Sequence, residues 1–147
     1  MGLLSKLFGG GRKQEPNEPP TAFPLNFTGP GVHQKQLSSK WGVVFEDDGE
    51  TGYLYATDAA HSVALDALHL YNRSDPDPLK QGEPAFIVWN PRVARVGLFY
   101  RDQFQAVFDF DAKRGSCRTG FPGPIGEHGW SRRGHAWDQS MISGLEP

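Results

Sequence analysis

Glycine and proline punctuate this chain so closely that no apolar segment has room to become a long packed helix. There are 18 glycines and 12 prolines in 147 residues, about one residue in five. Both residue types end regular structure, glycine by its freedom and proline by its fixed φ and missing donor. The chain is therefore expected to fold through many turns and short strands. The clearest case is Asp48-Gly49, a dipeptide that accepts the positive φ angles of a tight hairpin turn. Before it, Trp41, Val43 and Phe45 alternate with Gly42, Val44 and Glu46, the period of a strand. After it comes Tyr53-Leu54-Tyr55-Ala56, rich in aromatic residues.

Four further segments read as strands. Leu65–Tyr71 fits either period, but it is short and is closed by the turn-rich run Asn72–Pro78, which favours a strand. Ala85–Trp89 is continuously apolar and ends at Asn90-Pro91, as expected of a strand buried on both faces. Val93–Phe99 and Phe104–Phe110 flank Arg101-Asp102-Gln103. Gly115–Pro124 reads as irregular, and Trp130–Ile142 as loop with one short helix. The expected fold is mainly β: an antiparallel six-strand meander forming a rolled sheet or small sandwich, with at most one or two short helices. Residues 1–34 read as a flexible tail and linker, 35–123 as the β-rich domain, and 124–147 as a C-terminal extension.

Charge is distributed unevenly behind a net value of −2. Between residues 41 and 77 one arginine faces eight acids. Such a block repels phosphate and attracts basic partners, so nucleic acid is not an expected ligand. The start, Met1–Phe8, lacks the pattern of a secretory signal, and its apolar stretch is too short for stable membrane association. A single cysteine, Cys117, forms no internal disulfide, and together with the missing signal it favours a reducing, cytoplasmic setting.

Two stretches are distinctive in order and spacing: Val44–Ala56 (VFEDDGETGYLYA), and Ala106–Phe110 continuing to Gly115–Pro122 (AVFDF, GSCRTGFP). With Leu65–Asn72 (LDALHLYN) they resemble a family of small bacterial proteins classed as a domain of unknown function. The resemblance covers roughly residues 40–123. It implies a compact β-rich bacterial domain and brings no activity.

The candidate chemistry is sparse. Glu46, Asp47, Asp48 and Glu50 crowd a hairpin tip without the alternating spacing of a calcium loop. They read as solvated turn residues or as a patch that meets a cationic surface. Trp130 and Trp137 lie in a tail with Arg132 and Arg133, residue types that dominate interfaces. Asp109 and Asp111, two apart on a strand, or Cys117 with a histidine, are the residues a hydrolase-like enzyme would use. No nucleophile elbow or zinc spacing accompanies them, so neither a metal nor another cofactor is expected. The favoured expectation is a non-enzymatic domain that binds a protein with a basic surface through Glu46, Asp47, Asp48, Glu50, Trp130 and Trp137. Size, charge and class make an immunity-type inhibitor of a cognate toxin the expected form of that binder.

Overall fold

The computed structural model describes residues 20–127 and 129–146. Nine strands follow in chain order: β1 (Thr21–Leu25), β2 (Gly31–Gln36), β3 (Trp41–Asp47), β4 (Thr51–Asp58), β5 (Ala64–Asn72), β6 (Ala85–Asn90), β7 (Arg95–Tyr100), β8 (Gln103–Asp109) and β9 (Arg114–Cys117). Helical backbone among the described residues is confined to two 3-10 turns, Trp130–Arg133 and Gln139–Ile142. The expected hairpin between β3 and β4 forms, with its turn one residue further along: Asp48 N–H donates to the Thr51 carbonyl, so Gly49-Glu50 is the two-residue loop, and of the pair Asp48-Gly49 only Gly49 takes a positive φ, 91°.

The strands make two antiparallel sheets. One runs β2-β3-β4-β5; the other runs β1-β6-β7-β8-β9. The expected single meander of six strands is thus corrected to two four-strand meanders, with β1 added beside β6. The sheets pack face to face and do not close into a barrel. Val43, Phe45, Leu54, Ala56, Leu68 and Leu70 from the first sheet share one core with Ile87, Trp89, Val96, Leu98, Ala106 and Phe108 from the second.

The five-stranded sheet is buried on its other face too. Val88, Phe99, Phe104 and Val107 pack there against Met141, Ile142 and Leu145. This double burial explains why Ala85–Trp89 is continuously apolar while β4 alternates. A register shift between Leu98 and Phe99 lets Phe104 and Val107 share the outer face although they are three positions apart.

Three strands escaped the local pattern. β1 carries Pro24, β2 is largely polar, and β9 has four residues. The linker expected up to residue 34 is corrected accordingly: Thr21–Leu25 and Gly31–Gln36 belong to the sheets. Residues 1–19, where the rest of the tail was expected, lie outside the described residues. The C-terminal segment contains two short turns instead of one helix, and it packs on the five-stranded sheet as part of the core.

Leu145 has no exposed surface and belongs to the outer core. Leu145→Ala is expected to lower unfolding free energy by about 2–5 kcal/mol, the range for a buried leucine truncated to alanine. Urea unfolding of the two proteins measures this directly. A change below about 0.5 kcal/mol would mean that the C-terminal segment is not part of the cooperative core.

Candidate functional site

Pleat parity decides where the acidic hairpin residues go. Asp47 shares its side of β3 with Val43 and Phe45, which face the core. It is 1% exposed. Its carboxylate accepts from the Tyr71 hydroxyl at 2.7 Å and the Gly49 amide at 2.8 Å. Arg73 Nε stands 3.1 Å away as an ion pair, not aligned as a hydrogen bond. Burial, with the hydrogen bond to Asp47, pushes the Tyr71 phenol well above its ordinary value. Gly52 lies directly beneath this tyrosine: a Cβ there would fall 2.3 Å from Tyr71 Cζ. The ring is held in place by its bond to Asp47, so it has no easy way to yield.

Asp48 and Glu50 are exposed, and Glu46 is half-buried on the opposite side of β3 from Asp47. The Asp48 carboxylate accepts from the Thr51 and Glu50 amides, which hold it below the usual carboxylate range. Asp75 is also exposed, and it comes near the same end of the sheet because Arg73 N–H donates to the Glu50 carbonyl. Asp77 is instead engaged by Lys80 and Arg101.

Glu46 pairs in register with Tyr53 on the open face of the four-stranded sheet. There the Tyr53 ring stacks on His69 at 4.9 Å and on Tyr55 at 5.8 Å, with interplanar angles of 12° and 18°. The Tyr55 hydroxyl donates to Glu46 at 3.3 Å. Burial, then the nearby Glu46 charge, pushes the Tyr55 phenol up to about 12. All four side chains are half-exposed. This row of flat rings running into an acidic turn is the open polar-aromatic surface of the sheet. Its signal in the sequence was Tyr53 and Tyr55 alternating with the core residues Leu54 and Ala56.

The two tryptophans expected at an interface take other roles. Trp130 is 9% exposed and meets Phe108 and Phe110 edge-on, so it is a core residue. Trp137 is half-buried, with the Arg118 guanidinium 3.9 Å above its ring. Neither is brought near the acidic hairpin by any described contact.

The residues considered for catalysis are also separated. Asp109 binds Arg95 Nε at 2.9 Å and caps the following turn through the Ala112 amide. Arg95 in turn donates to the Ser143 carbonyl, which ties β7 to the C-terminal segment. Asp111 is exposed in the turn. Cys117 is buried, and its thiol faces the carbonyls of His69 and Phe121 and the Thr119 hydroxyl. Among the described residues, no group of three His, Cys, Asp or Glu side chains could hold a metal ion.

A histidine–aspartate pair lies in the interior, 69 residues apart in sequence. His135 is 1% exposed. Its Nε2 lies 2.9 Å from both Asp66 oxygens, and its Nδ1 lies 2.6 Å from the Pro122 carbonyl. The carbonyl accepts, and the Asp66 carboxylate in its ionised form accepts too, so with that carboxylate both ring nitrogens carry protons and the ring is an imidazolium. Ser131 donates to Asp66 at 2.5 Å. The residue types match a catalytic triad, but the serine binds the carboxylate and the imidazole has no free lone pair. As wired, the histidine cannot take a proton from the serine. The pair instead fastens the segment 122–135 to β5. Burial alone would lower the His135 pKa, but the hydrogen bonds to Asp66 and Pro122 and the Asp66 charge outweigh it and leave the pKa raised.

This geometry completes the picture of a small β-sandwich with one open aromatic-acidic face. The chain belongs to the bacterial family described as "Uncharacterized protein conserved in bacteria (DUF2251)", whose model matches residues 29–146. It is also 33% identical over 104 residues to an uncharacterized protein of Haemophilus influenzae, covering 69% of this chain. The chain spans 64% of that relative's length. No solved structure matches it. Among the described residues, no helix is long and apolar enough to cross a membrane.

Two outcomes follow from the buried groups. Asp47→Asn leaves Arg73 without its charge partner and is expected to cost about 3–5 kcal/mol, whereas Asp48→Asn and Glu50→Gln should each stay within about 0.5 kcal/mol of the parent. Chemical denaturation of the three variants checks this contrast. A raised His135 pKa means stabilisation that is complete below the ordinary value of 6.5 and fades as pH rises through the folded-state value. The stability difference between the parent protein and His135→Gln should therefore shrink on going from acidic to alkaline pH, which thermal melts across that range will show. A difference that grows with pH contradicts the imidazolium assignment.

Proposed function

We propose that this domain acts by binding a protein with a basic surface, through the open face of its four-stranded sheet. One observation carries the reading: the stacked rings of His69, Tyr53 and Tyr55 run directly into Glu46 and the exposed acids Asp48 and Glu50. Tyrosine supplies broad contact area at low entropic cost, and its ring face attracts the cations of arginine and lysine. Carboxylates beside it pair with those cations and steer their approach. The contact set is therefore Glu46, Asp48, Glu50, Tyr53, Tyr55 and His69. Asp47 and Trp130 support the fold, and Trp137 stands apart under Arg118.

In its finer form, the proposed role is an immunity-type inhibitor that covers the cationic active-site rim of a cognate toxin. Small size and a non-basic, acid-rich face favour that form. It rests on analogy of class and not on a motif.

The experiment is affinity capture from a lysate of the encoding organism, followed by titration of the captured protein at low and high salt. Affinity should fall as salt rises, because exposed charges are screened. The combined variant Glu46→Gln, Asp48→Asn, Glu50→Gln should bind at least about tenfold more weakly at low salt, the equivalent of about 1.4 kcal/mol, and lose most of the salt dependence. Unchanged affinity and unchanged salt dependence would sink the electrostatic reading.

A further inference from the structure

The two sides of the sandwich are finished differently. On one side the sheet edges are closed by the chain itself. The β5 edge is covered where His69 N–H donates to the Phe121 carbonyl, and the β9 edge where Cys117 N–H donates to the His135 carbonyl. On the other side lie β1 and β2, each the last strand of its sheet, with no further strand paired to it among the described residues. The short connection from Leu25 to Gly31 places them side by side.

Between them runs a groove of about 350 Å³ lined by residues of both strands and by Ile87 of β6. Its apolar wall is the half-buried Phe23 with the core residues Leu25 and Ile87 behind it, and its polar wall is His33, Gln34 and Lys35. No carboxylate lines it. Lys35 Nζ lies 4.2 Å from the centre of the Phe23 ring. That contact places an ammonium group at the groove without a counter-charge in its lining.

The two edges are not equally able to accept a strand. β1 contains Pro24, which has no N–H to donate. β2, Gly31–Gln36, has no proline and alternates half-buried with exposed residues along its length. A strand added to β2 gains main-chain hydrogen bonds, while every second side chain enters the groove. Groove-facing positions would meet an apolar wall and a cation.

We propose that the open side of the sandwich is a docking groove for an extended segment of a partner protein. The segment pairs with the free edge of β2. It directs an apolar side chain onto the half-buried Phe23, which lies over the core residues Leu25 and Ile87, and an aspartate or glutamate onto Lys35. Charge complementarity selects this occupant: the groove lacks acids and carries Lys35 and His33. The surface is separate from the aromatic-acidic face, and the inference does not rest on the function proposed for that face.

The test is selection of random eight-residue peptides displayed on phage against the full-length protein, followed by affinity measurement with the synthetic winners. Enriched peptides should alternate apolar and polar residues and carry an acid at a fixed position. Lys35→Glu should weaken their binding at least tenfold. Gln34→Pro, at an exposed edge position, should abolish it while the thermal melt stays cooperative. Glu46→Gln should leave it unchanged, which separates failure here from failure of the electrostatic reading above. Hydrogen exchange should show the outward-pointing amides of Val32, Gln34 and Gln36 gaining protection only when peptide is added, since those of residues 31, 33 and 35 face β3. Selected peptides without an acid, or affinity indifferent to Lys35→Glu, would overturn the proposal. So would full protection of the Val32, Gln34 and Gln36 amides in the free protein, since the edge would then already be occupied.

Discussion

The five-stranded sheet is apolar on both faces, and the rest of the molecule is arranged to meet that constraint. Each fully buried aliphatic or aromatic side chain contributes about 1.5–3 kcal/mol only if water is excluded from it. One face gets its cover from the four-stranded sheet. The other gets it from Met141, Ile142 and Leu145, which belong to no strand. Arg95 joins these covers to the sheet, binding Asp109 beside it and the Ser143 carbonyl above it. The C-terminal segment is therefore core material, although its sequence reads as an extension.

Two buried polar clusters fix how the layers meet. Asp47, Tyr71 and Arg73 lock the end of β3 to the end of β5. Asp66, His135 and Ser131 lock β5 to the segment that closes the sandwich. Buried ion pairs add little net stability over apolar packing, but removing one partner is costly. Such clusters act here as alignment devices: each tolerates one arrangement of its elements and penalises slippage.

These clusters also divide the acidic block of the sequence. Asp47 and Asp66 turn inward, Asp77 is neutralised by its neighbours, and Asp48, Glu50 and Asp75 stay in solvent. The exposed negative charge is smaller than the sequence suggests, and part of it lies beside the tyrosine row. At the opposite edge of the same sheet the lining residues are cationic or neutral. The domain thus presents two surfaces of opposite character, one a flat aromatic face and the other a strand edge.

Much of the strand pattern was legible because alternation is a local property. Trp41–Asp47, Thr51–Asp58 and Ala85–Asn90 each announce themselves within a few residues. β2 did not, because an edge strand wets too much of its surface to show an apolar period, and β9 is too short to show any. The inward acids carried a readable sign: Asp47 and Asp66 fall on the same pleat side as Val43, Phe45, Leu68 and Leu70. Two neighbouring aspartates, Asp47 and Asp48, therefore differ in role by parity alone. Trp130 gave no such sign, since it lies outside any strand. By itself the sequence determined that the segments of β3 to β8 extend and which face of β3 and β4 is apolar, because backbone preference and side-chain alternation act over a few residues. Tertiary structure alone decided the partition into two sheets, the joining of Asp66 to His135, and the edge left open, because each depends on bringing distant segments together.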